Sequence, residues 1–190
     1  MHKNEEVKHL ESKELEADFK KYMYHPMRDK VFAGLLLDNK LCEEVINAVT
    51  GVNFITHEIH PQYYEPGELH LGRAIILDIK AVDPGGAVCN IEVQVNYFPG
   101  GAHEKRIVFH AGRLLSKQLK TGEDFINVRP VYIIFFNFES ASNVFIKHIN
   151  LKDESGLVYS DILQIYEINT MENEKATPDQ LFIKIFSLFL

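Results

Sequence analysis

Asp78, Lys80, Asn90, Glu92 and Gln94 are polar residues set into two otherwise apolar stretches, Ala74–Val82 and Ala87–Val95. Side chains of an extended chain alternate faces. Asp78 and Lys80 therefore share one face of the first stretch, and Asn90, Glu92 and Gln94 share one face of the second. The linker Asp83-Pro84-Gly85-Gly86 decides whether those faces coincide. A three-residue loop, Pro84 to Gly86, with a glycine in the left-handed conformation, pairs Asp83 with Ala87. That register sets Asp78 opposite Glu92, Lys80 opposite Asn90 and Ile76 opposite Gln94, with cross-strand Cβ atoms about 5 Å apart. A two-residue loop would send the two acids to opposite faces. Like charges so placed destabilise a sheet and are costly to bury. A divalent cation removes that cost, and two carboxylates form an oxygen-ligand site suited to Mg²⁺ or Mn²⁺. Such an ion activates water and stabilises the charge that builds on a phosphodiester. The same alternation also describes two polar residues on a solvent-facing strand side, and periodicity alone does not choose between the two.

The flanking elements follow from periodicity and punctuation. Arg28 to Val49 has helical spacing, broken into two helices at Asp38-Asn39 and stopped at Gly51. Asn53 to His60 reads as a short strand and Pro61 to Gly72 as a loop. The two apolar stretches form a hairpin. Ala102 to Lys120 is a helix ended by Gly122, and Arg129 to Phe138 is an apolar strand. Val144 to Leu151 and Leu157 to Ile168 are two more strands, and Thr177-Pro178-Asp179 opens a last helix. Residues 1–27 form a charged tail or helix, and residues 28–190 form one domain.

On the helix after the hairpin, Arg106, Arg113, Lys117 and Lys120 fall within a stripe of about 60° at 100° per residue, with His110 beside it. Ile107, Val108, Ala111, Leu114, Leu115 and Leu119 make the opposite, apolar face. The basic ridge suits a nucleic-acid backbone, and an ordinary solvated helix face looks the same and is the commoner case. Gln118 lies on the apolar side and either reaches toward the hairpin carboxylates or bonds backbone. His57 and His60 point to opposite faces and Cys42 and Cys89 stand alone, so no zinc spacing emerges.

The chain has 190 residues, 46% hydrophobic and 25% charged, which suits an ordinary globular domain. A formal charge of -7 weighs against a dedicated nucleic-acid binder but not against an enzyme whose acids hold cations. Two cysteines make no disulfide framework, and the N-terminus lacks an apolar leader. No stretch reaches the ~20 apolar residues of a membrane span. The expectation is a cytoplasmic protein with no membrane association. The apolar run Leu181 to Leu190 points to self-association as a homodimer.

The string Leu77-Asp78-Ile79-Lys80-Ala81, a short turn, then Asn90-Ile91-Glu92-Val93-Gln94-Val95 resembles the motif core of the Rpn-type recombination-promoting nucleases and transposases. These form a branch of the PD-(D/E)xK nuclease superfamily. Asp29-Lys30-Val31-Phe32, the helix with Asn47, Lys105-Arg106, Gln118 to Phe125, and Pro130 to Ile134 resemble the family's other elements in order and spacing, over roughly residues 28–140. The resemblance implies an α/β, restriction-endonuclease-like αβββαβ core, with a mixed central sheet flanked by helices. It implies a DNA endonuclease dependent on Mg²⁺ or Mn²⁺, with Asp78 and Glu92 as metal ligands. Gln94 stands where the superfamily usually has lysine, as this branch is known to have it. Glutamine orients a water or phosphate oxygen but carries no charge. Lys80, on the same face, is the residue expected to supply that charge, and Asp29 is the candidate auxiliary acid. Chains of this family usually run on past the core, whereas this one ends on an apolar run. The competing expectation is therefore an inactive relative serving as a DNA- or protein-binding module.

Overall fold

The computed structural model of the protein describes residues 34–65, 75–94, 101–137 and 143–187. The N-terminal tail and Asp29 lie outside the described residues. Helix α1 (Asn39–Thr50) begins where the sequence places a cap. Asp38 is extended, and its carboxylate accepts the Leu41 N–H at 2.9 Å. Cys42, Val45, Ile46 and Val49 recur at helical spacing and are all buried. Gly51, at φ 72°, closes the helix by donating its N–H to the Asn47 carbonyl.

Six strands follow in one mixed sheet, ordered β1-β2-β3-β4-β6-β5. They are β1 (Glu58–Glu65), β2 (Ile75–Val82), β3 (Val88–Gln94), β4 (Val131–Asn137), β5 (Ile146–Lys152) and β6 (Val158–Asn169). β3, β4 and β6 are parallel neighbours, and the other pairings are antiparallel. Helix α2 (Ala102–Ser116) connects β3 to β4 across one face, and α3 (Leu181–Ser187) ends the described chain. This is the mixed α/β architecture of a restriction-endonuclease-like core.

The β2–β3 turn has the three-residue loop. The Asp83 N–H donates to the Ala87 carbonyl at 3.0 Å, the Ala87 N–H donates to the Asp83 carboxylate at 2.7 Å, and Gly86 takes φ 87°. Lys80 consequently pairs with Asn90 and Ile79 with Ile91. β1 departs from expectation. It runs through Pro61, which reads as a strand breaker, because β1 lies at the sheet edge where a missing N–H costs no ladder bond.

The sheet carries a core on each side. Ile79, Ala81, Cys89, Ile91, Ile134 and Ile168 pack against α1 and α3. Val88, Val131, Ile133, Phe135 and Ile165 pack against Ile107, Ala111 and Leu114 of α2. β4 lies between β3 and β6 and is buried on both faces, which explains its unbroken apolar run. The C-terminal apolar residues are also used internally. Ile183 is fully buried in the α1-side core and Phe182 packs on it. Phe182 and Ile183 thus serve the internal core, while Leu181 is 55% exposed. Among the described residues no helix is long and apolar enough to cross a membrane.

Two glycines give opposite expectations. Gly86→Ala forces a side chain into the left-handed region and should destabilise by about 1–2 kcal/mol. Gly112→Ala, in a helix interior with nothing within 4 Å of the added carbon, should stabilise by about 0.5–1 kcal/mol. Urea unfolding midpoints of the two variants check both signs.

Candidate active site

Alternation along β3 sends Cys89 and Ile91 toward α1, and Val88, Asn90 and Glu92 toward α2. Glu92 is thereby buried beneath a helix at 2% exposure. A carboxylate so placed needs donors, and three supply them. Asn90 Nδ2 donates to Oε1 at 2.8 Å, His110 Nδ1 lies 2.6 Å from the same oxygen, and Arg106 Nη2 donates to Oε2 at 3.0 Å. Burial opposes ionisation of Glu92. The His110 bond and charge, the Asn90 amide and the Arg106 guanidinium outweigh it and hold the carboxyl below its ordinary range.

Asp78 stands where β2 and β3 part. Their backbone pairing stops at Ile79 and Ile91. Continued pairing would bring the Val93 N–H to the β2 backbone; instead it donates to Asp78 Oδ2 at 3.0 Å. The expected pairs Asp78–Glu92 and Ile76–Gln94 are therefore not part of the ladder, and Asp78 is tied instead to the Val93 backbone, one residue along β3 from Glu92. The side chains of β2 change partners at the same point. Ile79 joins the α1-side core, whereas Leu77 joins the α2-side core.

Lys80 is not brought to the carboxylates. Its Nζ sits 4.0 Å above the Tyr63 ring on β1, held by cation–π attraction. The backbone of Gln94 pairs with Asn137 of β4, and its side chain lies outside the described residues. Gln118 turns to backbone rather than to the site. Its amide donates to the Arg129 carbonyl at 3.0 Å and accepts the Arg129 N–H at 2.6 Å, tying the end of α2 to the approach to β4.

The basic ridge of α2 needs correction. The buried residues of the helix are His103, Ile107, His110, Ala111 and Leu114, while Val108 is 57% exposed. The helix is rotated from its apolar periodicity, because the sheet beneath it presents a carboxylate that Arg106 and His110 turn inward to meet. Arg106 is thus a partner of Glu92, not part of an outward ridge. Arg113 is half-buried, and Lys117 and Lys120 remain exposed.

Sequence reasoning did not single out the polar row that continues across the sheet. Phe135 of β4 pairs with Glu92 on one side and Glu167 of β6 on the other. Glu167 is buried, accepts from Asn137 Nδ2 at 3.1 Å and lies 3.7 Å from Lys147 Nζ. Over this row, the His103 ring packs edge-on to Phe135 with centroids 4.8 Å apart. The available signal was His103 and His110, seven residues apart on one helix that also carries Arg106.

Among the described residues no three His, Cys, Asp or Glu side chains form a metal cage. Asp78 and Glu92 are hard-oxygen donors of the kind Mg²⁺ takes, and both Glu92 oxygens are engaged by Asn90, His110 and Arg106. A family model described as PD-(D/E)XK nuclease family transposase matches residues 18–185. Searches among curated proteins and among solved structures found no match.

Removing the Glu92 charge strands its partners. Glu92→Gln should lower stability at neutral pH by about 2–3 kcal/mol. The folded carboxyl is held below its ordinary value of 4.5. Its contribution is therefore complete above that value and is lost as pH falls through the folded value. Urea midpoints of native and variant protein should converge as the solution is acidified through that window.

Proposed function

Since the chain belongs to the PD-(D/E)XK nuclease family transposases, we propose that it is a divalent-metal-dependent DNA endonuclease acting at the Asp78–Glu92 fork. What supports this reading is the buried Glu92, its carboxyl held below the ordinary range, one residue along β3 from the Val93 N–H that Asp78 accepts. A sheet built only for stability has no use for that charge. Asp78 and Glu92 would hold Mg²⁺ or Mn²⁺, which when bound supplies positive charge against the phosphate and a more acidic water.

The chain's own groups do the remainder. His110 and Asn90 fix Glu92 Oε1, and Arg106 holds Oε2. The Val93 N–H fixes one oxygen of Asp78. Both carboxylates are therefore oriented before any ligand arrives, which limits the reorganisation left for the reaction. Gln94 is the residue for orienting water or a phosphate oxygen. Exposed Lys117 and Lys120, at the far end of α2, are suited to backbone phosphates, with Arg113 between them and the site.

A second reading is a non-cleaving DNA- or protein-binding module. What favours it is Arg106, which neutralises Glu92 without a metal, together with the net charge of -7.

Supercoiled plasmid incubated with Mg²⁺, Mn²⁺ or EDTA separates the two. The nuclease reading expects metal-dependent nicking that falls at least about 100-fold in Asp78→Asn, a variant whose amide oxygen still accepts from Val93. Folded native protein that binds DNA but cleaves it with neither metal would establish the binding module instead. In either case Lys117→Ala with Lys120→Ala should weaken DNA binding and reduce the salt slope by about 2.

A further inference from the structure

The groups assigned so far leave the hydrolysis without a proton acceptor. A glutamine side chain, as at Gln94, has no basic lone pair near neutral pH. The Lys80 ammonium is held over Tyr63, and His110 Nδ1 is committed to Glu92. His103 differs from all of these. It is 4% exposed, and neither ring nitrogen has a hydrogen-bond partner. An unpaired buried polar group costs about 1–3 kcal/mol, so an imidazole bare at both nitrogens asks for a ligand or a chemical role.

Its position suits such a role. The chain leaves β3 at Gln94 and enters α2 at Ala102, so α2 returns over the sheet. His110, Arg106 and His103 follow one another along the sheet-facing side toward the C-terminal ends of the parallel strands. At 1.5 Å per residue, His103 lies about 4–5 Å beyond Arg106, the residue that holds Glu92 Oε2. Its ring rests on Phe135, the register neighbour of Glu92. His103 therefore stands beside the carboxylate row, at the end where Gln94 and Asn137 pair.

We propose that His103 accepts the proton of the attacking water in phosphodiester cleavage at this site. The proposal rests on the nuclease reading above. The water oxygen forms a bond to phosphorus, and the bond from phosphorus to the leaving sugar oxygen breaks with its electron pair on that oxygen. One water proton passes to an imidazole nitrogen, both nitrogens being closed off in the free protein and reachable only as substrate seats, and the leaving oxygen takes a proton from solvent. His103 afterwards returns its proton to solvent, and the imidazole is restored. Burial, then the neighbouring Arg106 charge, lowers the proton affinity of the ring, against the opposing pull of Glu104, Glu167 and Glu92. Lys147 faces Glu167 from β5. The ring is consequently neutral near pH 7, the form that takes a proton.

The test measures plasmid cleavage with Mg²⁺ across pH for native protein, His103→Gln, His103→Ala and the surface control His57→Gln. His103→Gln should lose about 100-fold or more in kcat with KM little changed. Added imidazole should restore much of the rate of His103→Ala, and the acid limb of the native pH profile should vanish in both variants. A folded His103→Gln that cleaves at the native rate overturns the role of His103 and leaves the nuclease reading in place. Loss of activity with no imidazole rescue and an unchanged pH profile makes His103 structural, which also overturns it. A native chain that cleaves with no metal overturns both. Should the variants not fold, the native chain decides. The His103 ring resonances must shift when a DNA oligonucleotide is added with Ca²⁺, and unmoved resonances overturn the proposal.

Discussion

A carboxylate at 2% exposure in the middle of a sheet is the constraint around which this molecule is arranged. Left alone, Glu92 would take up a proton or open the structure. It does neither, because Asn90, Arg106 and His110 converge on its two oxygens. These partners come from different levels of the sequence. Asn90 shares the face of β3 by alternation. Arg106 and His110 reach it only because α2 is docked with its charged edge inward. The orientation of that helix, and with it the position of His103, follows from the demand of one buried charge.

The parallel core gives that charge its setting. β3, β4 and β6 run together, so equivalent residues line up in rows. The row through Glu92, Phe135 and Glu167 is polar at both ends, with an aromatic ring between. The next paired positions are Gln94, Asn137 and Asn169. Polar residues thus gather at the C-terminal ends of the parallel strands, where α/β sheets generally bind ligands. Asp78 enters this neighbourhood from the antiparallel side. Its carboxylate takes the Val93 N–H just beyond the last β2–β3 backbone pair. The backbone ladder thus ends where Asp78 takes that N–H, one residue along β3 from Glu92.

Much of this was legible in the chain, for identifiable reasons. Asp83-Pro84-Gly85-Gly86 admits few turns, and a loop of that length fixes which residues face each other. The pairing of Lys80 with Asn90 is the one a three-residue loop dictates. Asp38 and Gly51 bound α1 because capping is local chemistry. What was hidden depended on distant contacts. The helical periodicity of α2 placed Arg106 on an outward ridge, since a wheel cannot know that the sheet below carries an acid. Val108 counted as core and is exposed for the same reason. Lys80 seemed to serve the carboxylates, but Tyr63, from a stretch that read as loop, holds its ammonium instead. Pro61 obscured β1 because its tolerance depends on an edge position that only the assembled sheet defines.

The central question is whether Asp78 and Glu92 together bind a divalent ion. A crystal of the native chain soaked in Mn²⁺, with anomalous differences measured at a wavelength where manganese scatters, addresses this without any assay of cleavage. A single strong peak bonded to both carboxylates is expected, with Arg106 yielding part of its hold on Glu92. A site with no peak there, and Arg106 still seated on Glu92 at saturating Mn²⁺, would contradict metal binding by this pair.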